Sequence, residues 1–153
     1  MKNNTKRIVN SGVVAAVYVV LCILFQPISF GPVQFRIAEA FTVLPFLDAA
    51  FIPGLYIGVL LANIIGGLGA WDIWLGSFFT LIAAYLTWKM PNKWLAPLPS
   101  VLVNAFGVSA YVSFLYEVPY WISVLWIGIG QAVVTYLIGI PILILFKKHY
   151  KPS

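Results

Sequence analysis

The sequence predicts an all-α integral membrane protein, a six-transmembrane-helix bundle forming one domain over residues 1–153. Three observations carry that prediction. Hydrophobic residues make up 62% of the 153 residues and charged ones only 8%, whereas roughly a quarter of the residues of soluble domains are charged. Six apolar stretches of helical or near-helical length alternate with breaks rich in Pro, Gly or charge. Eight of the nine Lys and Arg residues fall into three short clusters that six crossings put on one side, and cations accumulate on the cytoplasmic side. Both termini are therefore expected in the cytoplasm of a multi-pass cell-membrane protein.

Lys2, Lys6 and Arg7 precede the first helix, expected over about 8–25; at a rise of about 1.5 Å per residue it nearly matches a hydrocarbon core of about 30 Å. Its length and the lack of a small-residue cleavage site argue against a removable signal peptide. Residues 26–34 hold Pro27, Gly31 and Pro32 among alternating apolar residues, the pattern of an extended loop or short hairpin. A short second helix over 36–50 is bent by Pro45. Pro53 suits the first turn of a third helix over 53–66, which stops at Gly66, Gly67 and Gly69. Gly54, Gly58, Ala62, Gly66 and Ala70 recur at every fourth position, a strip where a neighbouring helix can approach closely. Gly12 and Ala16 make a weaker strip on the first helix.

A fourth helix is expected over 72–89, then a break with Lys89 and Lys93. A fifth follows over 97–116, with Glu117 just beyond its end. A sixth over 119–146 is bent near Gly139 and Pro141 before the basic tail.

Several functions are excluded early. The positive charge of +5 is spread over short clusters with no basic stripe, so nucleic acid is not a partner. Cys22, the only cysteine, cannot form an intrachain disulfide. The single histidine, His149, lies in the tail, so the GVSA stretch at Gly107–Ala110 lacks a base for serine chemistry. No phosphate-cradling GxxxxGK[ST] motif occurs. No enzyme activity, cofactor or metal site is expected.

The polar residues inside apolar stretches are the candidate site. An ionisable group in a membrane span is costly and usually lines a cavity or meets a partner. Arg36 and Glu39, three residues apart, share a helix face. Asn63 lies near the end of the third helix and Asp72 opens the fourth. Trp71 could stack on a planar ring, as could Trp74, Tyr120 and Trp121. Asn104, Glu117 and Gln131 complete the set from the fifth and sixth helices. Plainer readings stay open: an Arg36–Glu39 ion pair, Asp72 as a helix cap, Glu117 as a solvated loop charge, and the tryptophans as an interfacial belt.

The segments FRIAEAFTVLPF, IPGLYIGVLLANIIGGLGAWDIWLGSFFTLIAAYLTWKM, LAPLPSVLVNAF and GIGQAVVTYLIGIP resemble the queuosine-precursor transporter (QueT) family. The R-x-x-E-A and A-N-x-x-G-G motifs in combination carry the resemblance. It implies a fold like the substrate-binding S component of an energy-coupling factor (ECF) transporter, which captures a deazaguanine-type base from outside. It also implies a transmembrane coupling subunit and two cytoplasmic ATPase subunits as partners, with Gly12 and Ala16 helping to dock the first. Gln131 departs from the family pattern, where Glu is common, and this bears on which precursor is carried. Two other readings share the residue pattern: capture of another planar nutrient such as a flavin or pteridine, and a non-transport structural membrane protein.

Overall fold

The computed structural model describes residues 2–29, 35–67 and 69–150. Helix α1 (Lys2–Leu24) is followed by a single helical turn, α2 (Gln26–Ser29), and then by a 3-10 helix (Ile37–Phe46). Helix α3 covers Phe51–Ile65. Three further helices follow: α4 (Asp72–Trp88), α5 (Leu98–Tyr116) and α6 (Tyr120–His149). No strand occurs among the described residues, and the chain is an all-α membrane protein. Asn4–Leu24, α5 and α6 are long and apolar enough to cross a bilayer; the 3-10 helix, α3 and α4 are shorter apolar helices.

Three expectations change in detail. The extended segment expected at 26–34 begins as the helical turn α2, and residues 30–34 lie outside the described ones. The second helix is a 3-10 helix ending at Phe46, not an α-helix to residue 50. Pro45 has no N–H to give to an i−4 carbonyl, so α-winding is disfavoured through this short segment. The bend expected in α6 is a π-helical stretch, Val133–Gly139, running into Pro141. A proline cannot close the bond to Leu137, and widening the preceding turns accommodates its ring.

Helix α1 buries one stripe, Ser11, Val14, Ala15, Tyr18 and Cys22, against α3. The glycine strip of α3 permits that contact. A Cβ on Gly54 would stand 2.3 Å from the Ser11 carbonyl oxygen, and one on Gly58 would stand 3.1 Å from Ala15 Cα and Tyr18 Cβ. The strip is used from Gly54 to Ala62, because α3 ends at Ile65 before the later small residues.

One apolar core joins α1, α3, α4 and the 3-10 helix through Tyr18, Leu44, Phe51, Leu55, Val59 and Ala84. Another joins α5 to α6 through Val108, Tyr111, Val112 and Ile127. Large side chains such as Val13, Val20, Leu125 and Leu137 point outward, as a chain surrounded by lipid permits.

Candidate functional site: a polar cavity at the seam of two cores

The seam between those two cores is polar. Arg36 sits just before the 3-10 helix in an extended conformation and is only 7% exposed. Its Nη1 donates to Asn63 Oδ1 at 2.8 Å, its Nε donates to the Ser29 carbonyl at 3.2 Å, and its Nη2 stands 3.8 Å from Asp72 Oδ1. Asn63, on α3 and fully buried, uses its Nδ2 to donate to the Asp72 carbonyl at 2.7 Å. Asp72 Oδ1 also accepts from the Tyr111 hydroxyl at 2.8 Å.

Asp72 is therefore not a helix cap. It lies in a π-helical turn, Asp72–Gly76, inside the N-cap position held by Trp71, and it is buried with its carboxylate turned toward α5.

Glu39 forms the other half. One carboxylate oxygen accepts from the Tyr18 hydroxyl and the other from Gln131 Nε2 at 3.0 Å. Gln131 Nε2 donates again to Ser100 Oγ at 2.6 Å. Charged groups buried in this way persist only when paired or hydrogen-bonded, because bare burial of either charge costs several kcal/mol.

Both halves face one cavity, lined by Arg36, Glu39, Asp72, Asn104 and Gln131 with Gly76, Thr80 and Tyr111, over an apolar floor of Val108 and Ile127. The cavity holds about 20 Å³, enough for about one water and far below the about 300–1,000 Å³ of an ordinary small-molecule site. A ligand of ordinary size enters only if the walls part.

The structure brings six of the eight sequence-selected residues together: five line the cavity and Asn63 stands directly behind Arg36 and Asp72. Trp71 and Glu117 stand apart from this cavity. Trp71 is half exposed, because the helical turn that buries Asp72 turns its neighbour outward. Glu117 ends α5 in the left-handed conformation, φ 55°, and is exposed. Trp74 and Trp121 also face outward, and Tyr120 donates to the Phe106 carbonyl at 3.1 Å. Ser109 of the GVSA stretch is fully buried with its hydroxyl unpartnered among the described residues.

Sequence reasoning missed Tyr18, Tyr111 and Ser100. The usable signal was depth: tyrosines favour the interfaces of a membrane, and Tyr18 and Tyr111 lie well inside their helices.

A second polar cluster lies at the opposite end of α1. Arg7 Nη2 meets Asp48 Oδ1 at 2.7 Å, the Tyr150 hydroxyl donates to Asp48 Oδ2 at 2.8 Å, and the Ala50 N–H donates to Asp48 Oδ1 at 2.8 Å. Burial pushes the Asp48 carboxyl upward, but the Ala50, Tyr150 and Arg7 donors together outweigh it and hold its pKa below the ordinary value. Burial and then the Asp48 hydrogen bond push Tyr150 up to about 12. This cluster ties the first helix and Tyr150, at the C-terminal end of α6, to the turn before α3.

Fold and cavity define the class: an all-α membrane protein with a buried, mixed-charge cavity between its helices. The family model described as QueT transporter matches residues 8–148, and the chain belongs to that family. Over 83 residues it is 32% identical to the Queuosine precursor transporter QueT of Lactococcus lactis subsp. cremoris (strain MG1363), a match that takes in 53% of this chain and 48% of that protein. The chain thus matches about half the length of that curated relative. No solved structure matches the chain.

Proposed function

We propose that this chain is the substrate-capturing membrane subunit of an ECF-type transporter and that its cargo is a queuosine precursor, a deazaguanine base. The observation that carries this reading is the convergence of two acids, two amides and one arginine on a single buried cavity. A deazaguanine presents ring and exocyclic N–H donors that carboxylates and amide oxygens accept, and a carbonyl that Arg36 or an amide N–H can meet. A cationic aminomethyl substituent would add demand for the second acid. The name of the Lactococcus lactis relative supports the same cargo.

The charge distribution supports six crossings with both termini in the cytoplasm, so the cavity opens toward the outside and the Asp48 cluster lies inside. Nothing in this arrangement breaks a bond, and transport energy is expected from two cytoplasmic ATPase subunits through a transmembrane coupling subunit. Gly12 and Ala16 are both exposed on α1, and a Cβ on Gly12 would meet no atom within 4 Å. Such a bare face lets a partner helix approach closely.

The decisive experiment is ligand binding by the purified protein in nanodiscs without ATP or partners. Aminomethyl deazaguanine is expected to bind, and Glu39→Gln or Asn63→Ala to weaken it about tenfold or more, the loss of one good hydrogen bond, with the folded yield retained. Unchanged affinity in both variants would remove these residues from the site. Binding of a flavin or pteridine in place of the base would reassign the cargo.

A further inference from the structure

The hydrogen bonds around Glu39 fix more than their own geometry. Thr42 has one hydroxyl proton, and it goes to the Glu39 main-chain carbonyl at 2.6 Å, a group that can only accept. Across the 3.1 Å contact between Thr42 and Ser100, the Ser100 hydroxyl must then be the donor. Ser100 Oγ accepts in turn from Gln131 Nε2, whose other hydrogen goes to Glu39 Oε2. Both Gln131 N–H groups are thereby engaged. Turning the amide over would bring its oxygen to 3.0 Å from a carboxylate oxygen with no proton between them, so the nitrogen is held where it is. Tyr18 fixes the other side of the same carboxylate.

What remains of Gln131 for the cavity is its carbonyl oxygen, an acceptor. Asn104, which lines the same cavity, makes no side-chain hydrogen bond among the described residues, so its amide is also available there.

We propose that Ser100 and Tyr18, neither of which lines the cavity, are positioning residues for ligand selection. They hold Gln131 so that its oxygen and the Asn104 amide form an accepting edge. That edge selects a planar base carrying an exocyclic amine and rejects the same ring without it. The proposal rests on the reading of the cavity as a base-binding site and names which edge of the base it reads. A site built to accept from an N–H discriminates strongly against the analogue that lacks it, because a buried acceptor is then left unmatched.

The test compares binding of deazaguanine and deazahypoxanthine, which differ only in the exocyclic amine, to full-length protein in nanodiscs. The unaltered protein is expected to prefer the amine-bearing base by at least about tenfold, one hydrogen bond's worth of discrimination. In Ser100→Ala and Tyr18→Phe that preference is expected to shrink toward parity, because Gln131 is then held through a single contact, or by a Glu39 that has lost its own anchor, and its oxygen swings off the edge. Ser100→Thr, which keeps the hydroxyl, is expected to restore it.

Thermal unfolding of each variant is recorded alongside. Should Ser100→Ala fail to fold, the Tyr18→Phe and Ser100→Thr preferences decide the matter. Equal loss of affinity for both bases, with the preference kept, would mean a merely structural role and overturn the proposal. Equal binding of both bases by the unaltered protein would overturn it while leaving the transport reading standing, whereas binding of neither would overturn both.

Discussion

Arg36 and Asp72 are buried and their charged atoms stand 3.8 Å apart, whereas Arg7 and Asp48 meet at 2.7 Å with 38% of the Arg7 side chain exposed. The shorter contact is the weaker device. With the Arg7 end this open to water, Coulomb attraction is screened and the pair contributes little, about 0–1 kcal/mol, although Asp48 itself is buried. In the apolar interior, losing one partner strands the other charge. The longer distance also has a local cause: Arg36 is shared with Asn63 and Ser29, and Asp72 with Tyr111. A charge held by several neighbours at once can accept a further partner without being released, which suits a site. Asp48 has its two oxygens taken up at short range by Arg7, Tyr150 and the Ala50 N–H, which suits a fastening.

The largest effect should come from breaking the buried pair. Arg36→Met is expected to cost about 3–5 kcal/mol, the usual penalty for an orphaned buried charge, seen as a large fall in detergent-solubilised unfolding temperature. Adding Asp72→Asn should recover part of it, since an amide can still accept from Tyr111. If the double variant is no more stable than the single one, charge balance does not hold this seam.

Gly76→Ala is expected to act on the cavity more than on stability. Its Cβ would stand 3.2 Å from Tyr111 Oη and 3.5 Å from Asn63 Nδ2. Overpacking of this kind costs about 1–3 kcal/mol, and titration of deazaguanine should report weaker binding as Tyr111 is pushed off Asp72.

At the other end Asp48→Asn should cost less than the buried pair, about 1–2 kcal/mol, since the amide still accepts part of what Arg7, Tyr150 and the Ala50 N–H donate. The pH dependence of unfolding would sharpen the contrast. Asp48 has a lowered pKa in the folded chain, so its contribution is present above the ordinary carboxylate range and is lost as pH falls through the lowered value. Tyr150 is raised to about 12; its contribution is full below the ordinary tyrosine value of about 10 and is lost as pH rises toward 12. Tyr150→Phe should remove that alkaline dependence with the smallest change near neutrality.

Composition made the helices and their order legible, and Arg36, Glu39, Asn63 and Gln131 stood out because each is costly in an apolar run. The partners that hold them did not stand out. Ser100 and Thr42 are small enough to hide in a helix, and Tyr18 and Tyr111 count as apolar in any hydropathy sum. Periodicity also cannot reveal that one turn hides Asp72 while turning Trp71 outward. The pairing of Arg7 with Asp48 joins positions 41 residues apart, a separation that no local pattern encodes.

Four of the five charged and amide groups that line the cavity, Arg36, Glu39, Asp72 and Asn104, stand off regular α-helix. Asp72–Gly76 and Asn104–Val108 are π-turns, Gln131 comes just before the π-stretch Val133–Gly139, and Glu39 sits on a 3-10 helix. Such turns pack a different number of residues into the same rise. A wall can therefore take up or give back a residue's worth of winding while its ends stay anchored in the membrane. These turns border the 20 Å³ cavity, so any change in their winding alters its volume directly.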